Sequence, residues 1–131
     1  MCTKKKLGSI SDMNFREKYT LDERIAESGR TLAKYPDRVP IIVQKKANCD
    51  LADLEKSKYL VPVDMTLGQF VYVIRRRIRL ESAKALFVFV DGGVLPPTAA
   101  SMLSLYSKYA YKDGFMYVTY SGENTFGGRG G

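Results

Sequence analysis

The chain has 131 residues, 45% of them apolar, and carries 21 Lys and Arg against 14 Asp and Glu, for a net charge of +7. That length supports one domain burying roughly two thirds of its unfolded surface, and no apolar run approaches the ~20 residues of a membrane span. With no histidine in the sequence, Ser-His and Cys-His nucleophiles and histidine metal sites are excluded, while the charge favours an acidic partner: nucleic acid, anionic lipid or acidic peptide.

Met1 to Met13 is polar, without period, and reads as a flexible arm; its basic opening, Met1 to Lys6, has no apolar stretch behind it and is not expected to act as a secretory signal. Cys2 and Cys49 have neither metal-ligand spacing nor enough company for a disulfide framework, which suits a reducing compartment, by default the cytosol. A short helical turn is expected at Asn14 to Lys18. Thr20 with Glu23 forms a capping box, and the segment through Lys34 reads as a surface helix with Leu21, Ile25 and Leu32 inward. Tyr35-Pro36-Asp37 ends it, because the residue before proline is pushed out of the helical region.

Arg38 to Lys45 is a β-rich apolar run, predicted to be a central strand buried on both faces. Ala47 to Lys56 is polar and turn-rich. Lys58 to Val63 is a second strand, and Pro62, which cannot donate to a ladder, places it at a sheet edge. Met65 to Leu80 is the clearest helix: Thr66 and Gln69 make a second capping box, with Met65 and Phe70 at the positions of a hydrophobic staple. Leu67, Phe70, Val71, Ile74 and Ile78 share one face, while Arg75, Arg76 and Arg79 point elsewhere. Val73 lies outside the main stripe and Arg77 at its margin, an apolar flank beside positive charge where a binding site is sought.

Ala85 to Val90 is the most apolar strand, followed by the turn Asp91-Gly92-Gly93 and an extended return through Pro97. Thr98 is expected to cap a short helix through Tyr106 with Met102, Leu105 and Tyr106 inward. After the turn Lys112-Asp113-Gly114 comes the last strand, Phe115 to Ser121, and then a glycine-rich tail. After the first helix the order is strand, strand, helix, strand, short helix, strand, which fits an α+β fold of the ubiquitin-like β-grasp type. An RNA-binding βαββαβ sheet would want a strand before its first helix and aromatics flanked by glycine.

Several strings then match one family: Lys34-Tyr35-Pro36-Asp37-Arg38-Val39-Pro40-Ile41-Ile42-Val43, Lys58-Tyr59-Leu60-Val61-Pro62, Gly68-Gln69-Phe70, Ile74-Arg75-Arg76-Arg77-Ile78, Pro96-Pro97, Leu105-Tyr106 and Thr125-Phe126-Gly127. Over Phe15 to Gly127 the chain closely resembles the autophagy-related ubiquitin-like modifiers, the family of autophagy-related protein eight, light chain three and the GABA-receptor-associated protein. The resemblance implies a β-grasp core with two additional N-terminal helices over residues 14–121, behind a flexible arm (1–13) and before a flexible tail (122–131). It also implies a non-enzymatic, cytoplasmic protein, monomeric in solution, without cofactor or metal. A processing cysteine protease would trim the tail, with Phe126 as its recognition residue. Activating, conjugating and ligase enzymes would then join Gly127 to phosphatidylethanolamine on autophagosomal and related vesicle membranes.

On the membrane such a protein receives receptors and adaptors through short aromatic-x-x-aliphatic motifs. The family pattern places Glu27, Pro40, Lys58, Leu60 and Phe115 around the aromatic pocket, and Tyr59, Val61, Pro62, Met65, Phe70, Val73 and Ile74 around the aliphatic one. From the residues alone most of these read as ordinary core, and Phe70 and Ile74 fit core and pocket about equally, whereas Val73 and Lys58 are not needed by the core. Arg38, Lys56, Lys58 and Arg77 are the cations that could meet acidic residues flanking a motif, or simply a solvated basic face. Arg75 to Arg79 makes a weaker nucleic-acid patch, since no aromatic stacking platform is interleaved with it, and no nucleic acid is expected. Thr31 falls where an isoleucine commonly lines the aromatic pocket, with Leu32 adjacent. Gly128-Arg129-Gly130-Gly131 follows the expected glycine, with an ending similar to that of mature ubiquitin. The alternatives are therefore conjugation to protein lysines through Gly131, or a nonconjugated peptide-binding adaptor.

Overall fold

A computed structural model describes residues 14–47 and 49–122; the arm expected over 1–13, and the tail beyond Gly122 with Phe126, Gly127 and Gly131, lie outside them. Capping chemistry starts each helix. Asn14 and Glu17 close a box on α1 (Phe15–Lys18), Thr20 and Glu23 on α2 (Leu21–Lys34), and Thr66 and Gln69 on α3 (Leu67–Arg77). In each case two amide protons that the helix itself leaves orphaned are satisfied reciprocally.

The strands are β1 (Arg38–Lys45), β2 (Lys58–Pro62), β3 (Leu86–Val90) and β4 (Met116–Gly122), with α4 (Met102–Tyr109) before the last. They form one sheet of order β2-β1-β4-β3, in which β1 pairs antiparallel with β2 and parallel with β4, and β3 antiparallel with β4. This is the expected β-grasp. β1 is interior and buried from Val39 to Val43, and β2 is an edge. Among the described residues no strand precedes the first helix. β4 takes in Gly122, paired with Leu86, one residue beyond the expected end of the strand and the first residue of the expected tail.

The two faces of the sheet are covered differently. Leu67, Phe70, Ile74 and Ile78 of the α3 stripe join Val39, Ile41, Val43, Val61, Val88, Val90, Met116 and Val118 in the main core. Truncating Phe70 or Ile74 to alanine there costs on the order of 2–5 kcal/mol. On the other face α2 packs over β1, and Phe15 of α1 meets the buried Phe115 edge-on at 5.0 Å.

Two expectations fail here. Ile25 is 45% exposed rather than inward, and the buried stripe of α2 is polar: Arg24, Ser28 and Thr31. The cause lies in the α4–β4 turn. The buried Asp113 carboxylate accepts from the Arg24 guanidinium at 2.6 Å, the Tyr117 hydroxyl at 2.6 Å and the Phe115 amide at 3.0 Å, and the Ser28 hydroxyl donates to the Asp113 carbonyl at 2.7 Å. Buried polar groups are tolerated when satisfied in this way. Burial opposes the Arg24 charge, but the hydrogen bonds and charges of Asp113 and Tyr117 outweigh it and raise its pKa. Gly114 has φ +89, and a Cβ there would collide with the Ser28 side chain, so turn and helix are closely fitted.

The second correction concerns α4, which is capped by Ser101 rather than Thr98 and runs to Tyr109 rather than Tyr106. Residues 98–101 instead serve the start of α3: the Gly68 amide donates to the Thr98 carbonyl and the Leu67 amide to the Ala100 carbonyl, both at 2.9 Å. The expected hairpin turn is present: Asp91 at φ 52 and Gly92 at φ 77 are the central residues of a turn of the primed kind closed by the Gly93 amide on the Val90 carbonyl at 3.1 Å, within a three-residue loop. Its return forms only the Val90–Val94 bridge.

Two tyrosines yield an alkaline prediction. Burial first, then the hydrogen bond to Asp113, pushes Tyr117 up to about 12; burial and the charge of Asp53 do the same for Tyr120, whose hydroxyl donates to the Ala52 carbonyl at 2.7 Å. Folding therefore holds these protons where the unfolded chain, with tyrosine pKa ~10, releases them. The stabilisation they give is complete below about pH 10 and is lost as pH rises toward about 12. In a phenolate absorbance titration, a late wave that vanishes in denaturant is expected. Coincident native and denatured curves would contradict it.

Candidate functional site

β2 is an edge whose hydrogen-bonding alternation can be read from its ends. The Val43 amide donates to the Ser57 carbonyl at 2.8 Å and the Val63 amide to the Asp37 carbonyl at 3.1 Å. With Ile41 opposite Tyr59 and Val39 opposite Val61, the residues bonded to β1 are Tyr59 and Val61. The amides and carbonyls of Lys58 and Leu60 consequently point to the open side, followed by Pro62, which has no amide proton. The side chains alternate too. Tyr59 and Val61 enter the core, while Lys58 and Leu60 remain half-exposed.

Beside this edge lies an open trough of about 1430 Å³ between α2 and β2. Of the residues expected around the aromatic pocket, Glu27, Lys58 and Leu60 line it. Pro40 is buried opposite Leu60 on β1, and Phe115 is fully buried beneath Phe15, so neither forms the trough surface. Thr31 is buried and Leu32 half-buried, and neither borders the trough.

All four cations expected to meet an acidic flank, Arg38, Lys56, Lys58 and Arg77, border the trough. Lys58 pairs with Glu27, which also takes a bond from Arg30 at 2.7 Å. The hydrogen bond from Lys58, then that from Arg30, holds the Glu27 carboxyl below its ordinary 4.5. Lys56 and Arg77 stand 5.0 and 5.9 Å from the ring centre of Tyr59, and a guanidinium nitrogen of Arg38 reaches the Leu60 carbonyl at 3.3 Å. The trough is thus basic, with two carboxylates already engaging its lysines, Glu27 on Lys58 and Asp53 on Lys45. The sequence reading missed Arg30, although its spacing of three from Glu27 on a helix is a signal for such a pair. It also missed Phe15, which lines the trough from α1.

The residues expected around the aliphatic pocket divide. Pro62, Met65 and Val73 border a shallower depression of about 830 Å³, together with Gln69 and Tyr72. Tyr59, Val61, Phe70 and Ile74 belong to the core, with Tyr59 only 8% exposed and its ring edge-on to Phe70 at 6.0 Å. The edge strand therefore borders a basic trough through Lys58 and Leu60 and a more apolar depression through Pro62. An extended chain laid along β2 would find backbone partners at Lys58 and Leu60 and a recess for alternate side chains on either side. Among the described residues no group of three His, Cys, Asp or Glu could hold a metal ion, and no helix is long and apolar enough to cross a membrane.

The chain is similar to known proteins over most of its length. Residues 23–127 match the family described as autophagy protein Atg8, ubiquitin-like. Autophagy-related protein 8b of Arabidopsis thaliana is 56% identical over 115 residues, 88% of this chain and 93% of that protein. Autophagy-related protein 8 of Emericella nidulans is 56% identical over 113 residues, 86% of this chain and 95% of that protein. The crystal structure of Trypanosoma brucei ATG8 superposes with a TM-score of 0.80 at 41% identity, covering 85% of this chain and 95% of that one.

Proposed function

This chain belongs to the Atg8 family of ubiquitin-like autophagy proteins, and on that premise we propose that it is a modifier joined through Gly127 to phosphatidylethanolamine, which then acts on the membrane as a receptor for aromatic-x-x-aliphatic peptides. It does so as a binding and carrier protein, not as an enzyme. Processing protease, conjugation enzymes and motif-bearing receptors are its partners, and it moves from cytoplasm to autophagosomal membrane when lipidated. The observation that carries the receptor reading is the open β2 edge, with outward amides at Lys58 and Leu60, set between the basic trough and the Pro62-Met65-Val73 depression. In support of the conjugation reading, the family match ends at residue 127.

Calorimetry tests the receptor reading. An acidic peptide with an aromatic-x-x-aliphatic core is expected to bind with Kd ~1–10 μM, which corresponds to about −7 to −8 kcal/mol and suits two anchors plus a few backbone bonds. Leu60→Ala should weaken it about tenfold while the fold persists, because Leu60 is half-exposed on an edge. Tyr59 is unsuitable for this purpose, since its truncation would open the core. Raising salt should weaken binding moderately as Arg38, Lys56 and Arg77 are screened, the Debye length falling from ~10 Å at 0.1 M to ~3 Å at 1 M. Unchanged affinity in a folded Leu60→Ala variant would place the groove elsewhere.

A further inference from the structure

The arginines at the end of α3 form a charged surface that the trough only partly uses. Arg77 borders the trough, and Arg75 donates to the Glu81 carbonyl at 2.9 Å. Arg76 and Arg79 are exposed and enter no ion pair among the described residues. The Arg76 guanidinium stands 5.8 Å from the ring centre of Tyr72, the most exposed large apolar side chain among the described residues at 59%. Cations in the last turn complement the negative end of a helix, which accounts for Arg75 to Arg77 but not for Arg79.

Arg79 lies beyond the helix, at φ 55. Its amide returns to the Arg76 carbonyl at 3.2 Å, and that of Leu80 to the Arg75 carbonyl at 3.0 Å. Glycine is the usual occupant of such a left-handed position, because a Cβ is disfavoured there. An arginine at this position is a backbone outlier that motivates a functional reading of its side chain.

Location supplies the partner. From Leu80 the chain passes through residues 81–85 to Leu86, which pairs with Gly122 at the end of β4. The end of α3, a helix that contacts β3, is therefore one five-residue link from the pair at which the tail leaves the sheet. Five residues from Gly122 to Gly127 span at most ~18 Å, so attachment at Gly127 keeps the Leu86–Gly122 end of the sheet close to the bilayer.

We propose that Arg76 and Arg79, beside Tyr72, form a contact for the phosphate-bearing headgroups of an anionic bilayer, orienting the conjugated protein on its own membrane. The orientation rests on the proposed attachment at Gly127; the lipid affinity does not. Each arginine near an anionic surface is worth about fivefold in partitioning, and tyrosine is at home at headgroup level.

The test uses the unconjugated full chain, so that failure of conjugation cannot be mistaken for failure of this contact. Co-sedimentation with phosphatidylcholine vesicles, with and without phosphatidylserine, is measured for the wild type, Arg76→Gln/Arg79→Gln and Arg79→Gly. The wild type is expected to prefer the anionic vesicles, and the double variant to lose at least tenfold in binding them, with its affinity for the motif peptide unchanged. Arg79→Gly should raise the thermal midpoint by a few degrees yet weaken vesicle binding about fivefold. Vesicle binding equal to wild type in either variant overturns the proposal. So does loss of single-stranded RNA binding with vesicle binding intact, which would assign the arginines to nucleic acid.

Discussion

Replacing Gly127 by alanine is expected to abolish both removal of residues 128–131 and attachment to phosphatidylethanolamine, while leaving the thermal midpoint of the domain unchanged. A carboxylate activated through a thioester must pass narrow enzyme clefts in extended form, and glycine alone brings no Cβ to clash there. A chain ending at Gly127 should bypass the protease and still be conjugated. The physical consequence of attachment is large. Two acyl chains at ~0.8 kcal/mol per buried methylene anchor a protein stably, where a single chain is marginal, so the variant should stay off membranes while the wild type is retained. Intact mass of the membrane-bound form decides: an adduct on Gly131, or a protein lysine as acceptor, would instead support the ubiquitin-like alternative.

The second large effect is expected in stability. Asp113→Ala removes the acceptor of Arg24, Tyr117 and the Phe115 amide at once and leaves the Arg24 charge buried without its counter-charge, its Nε donating only to the Tyr19 carbonyl at 3.2 Å. Breaking a buried pair on one side costs about 3–5 kcal/mol, a large part of the ~5–15 kcal/mol that holds a domain together. Arg24→Met added to Asp113→Ala should recover part of the loss, because the stranded charge goes with it. Urea denaturation of the wild type and the two variants measures this. A loss below ~1 kcal/mol for Asp113→Ala would show that the pair contributes little to holding α2 on the sheet.

How much of this was legible in the sequence depended on whether the signal was local. The capping boxes at Thr20 and Thr66, the buried run Val39 to Val43 and the edge status of the Pro62 strand are short-range statements, and the structure agrees with each. The burial of Arg24 and Ser28 instead of Ile25 was not legible, because their partner Asp113 lies 89 and 85 residues away in sequence. Thr98 looked like a cap because threonine often is one. Its carbonyl was already committed to Gly68 on a different helix. The candidate site was legible as a set of residues but not as a surface. Strand alternation places Leu60 outward and Tyr59 inward once the core face is known; helical spacing set Val73 outside the main stripe, where it reaches the depression, yet left Phe70 and Ile74 equally open to core and pocket, and they lie in the core.

The central claim is that an extended peptide adds to β2 on its open side, and amide hydrogen exchange at Lys58 and Leu60 tests it most directly. These two amides point away from β1, so in the free protein they should exchange much faster than those of Tyr59 and Val61. A saturating acidic aromatic-x-x-aliphatic peptide should slow both at least tenfold, while the amides of β3 at the opposite edge keep their rates. Protection confined to β3, or none at Lys58 and Leu60 with the peptide demonstrably bound, would contradict strand addition at β2.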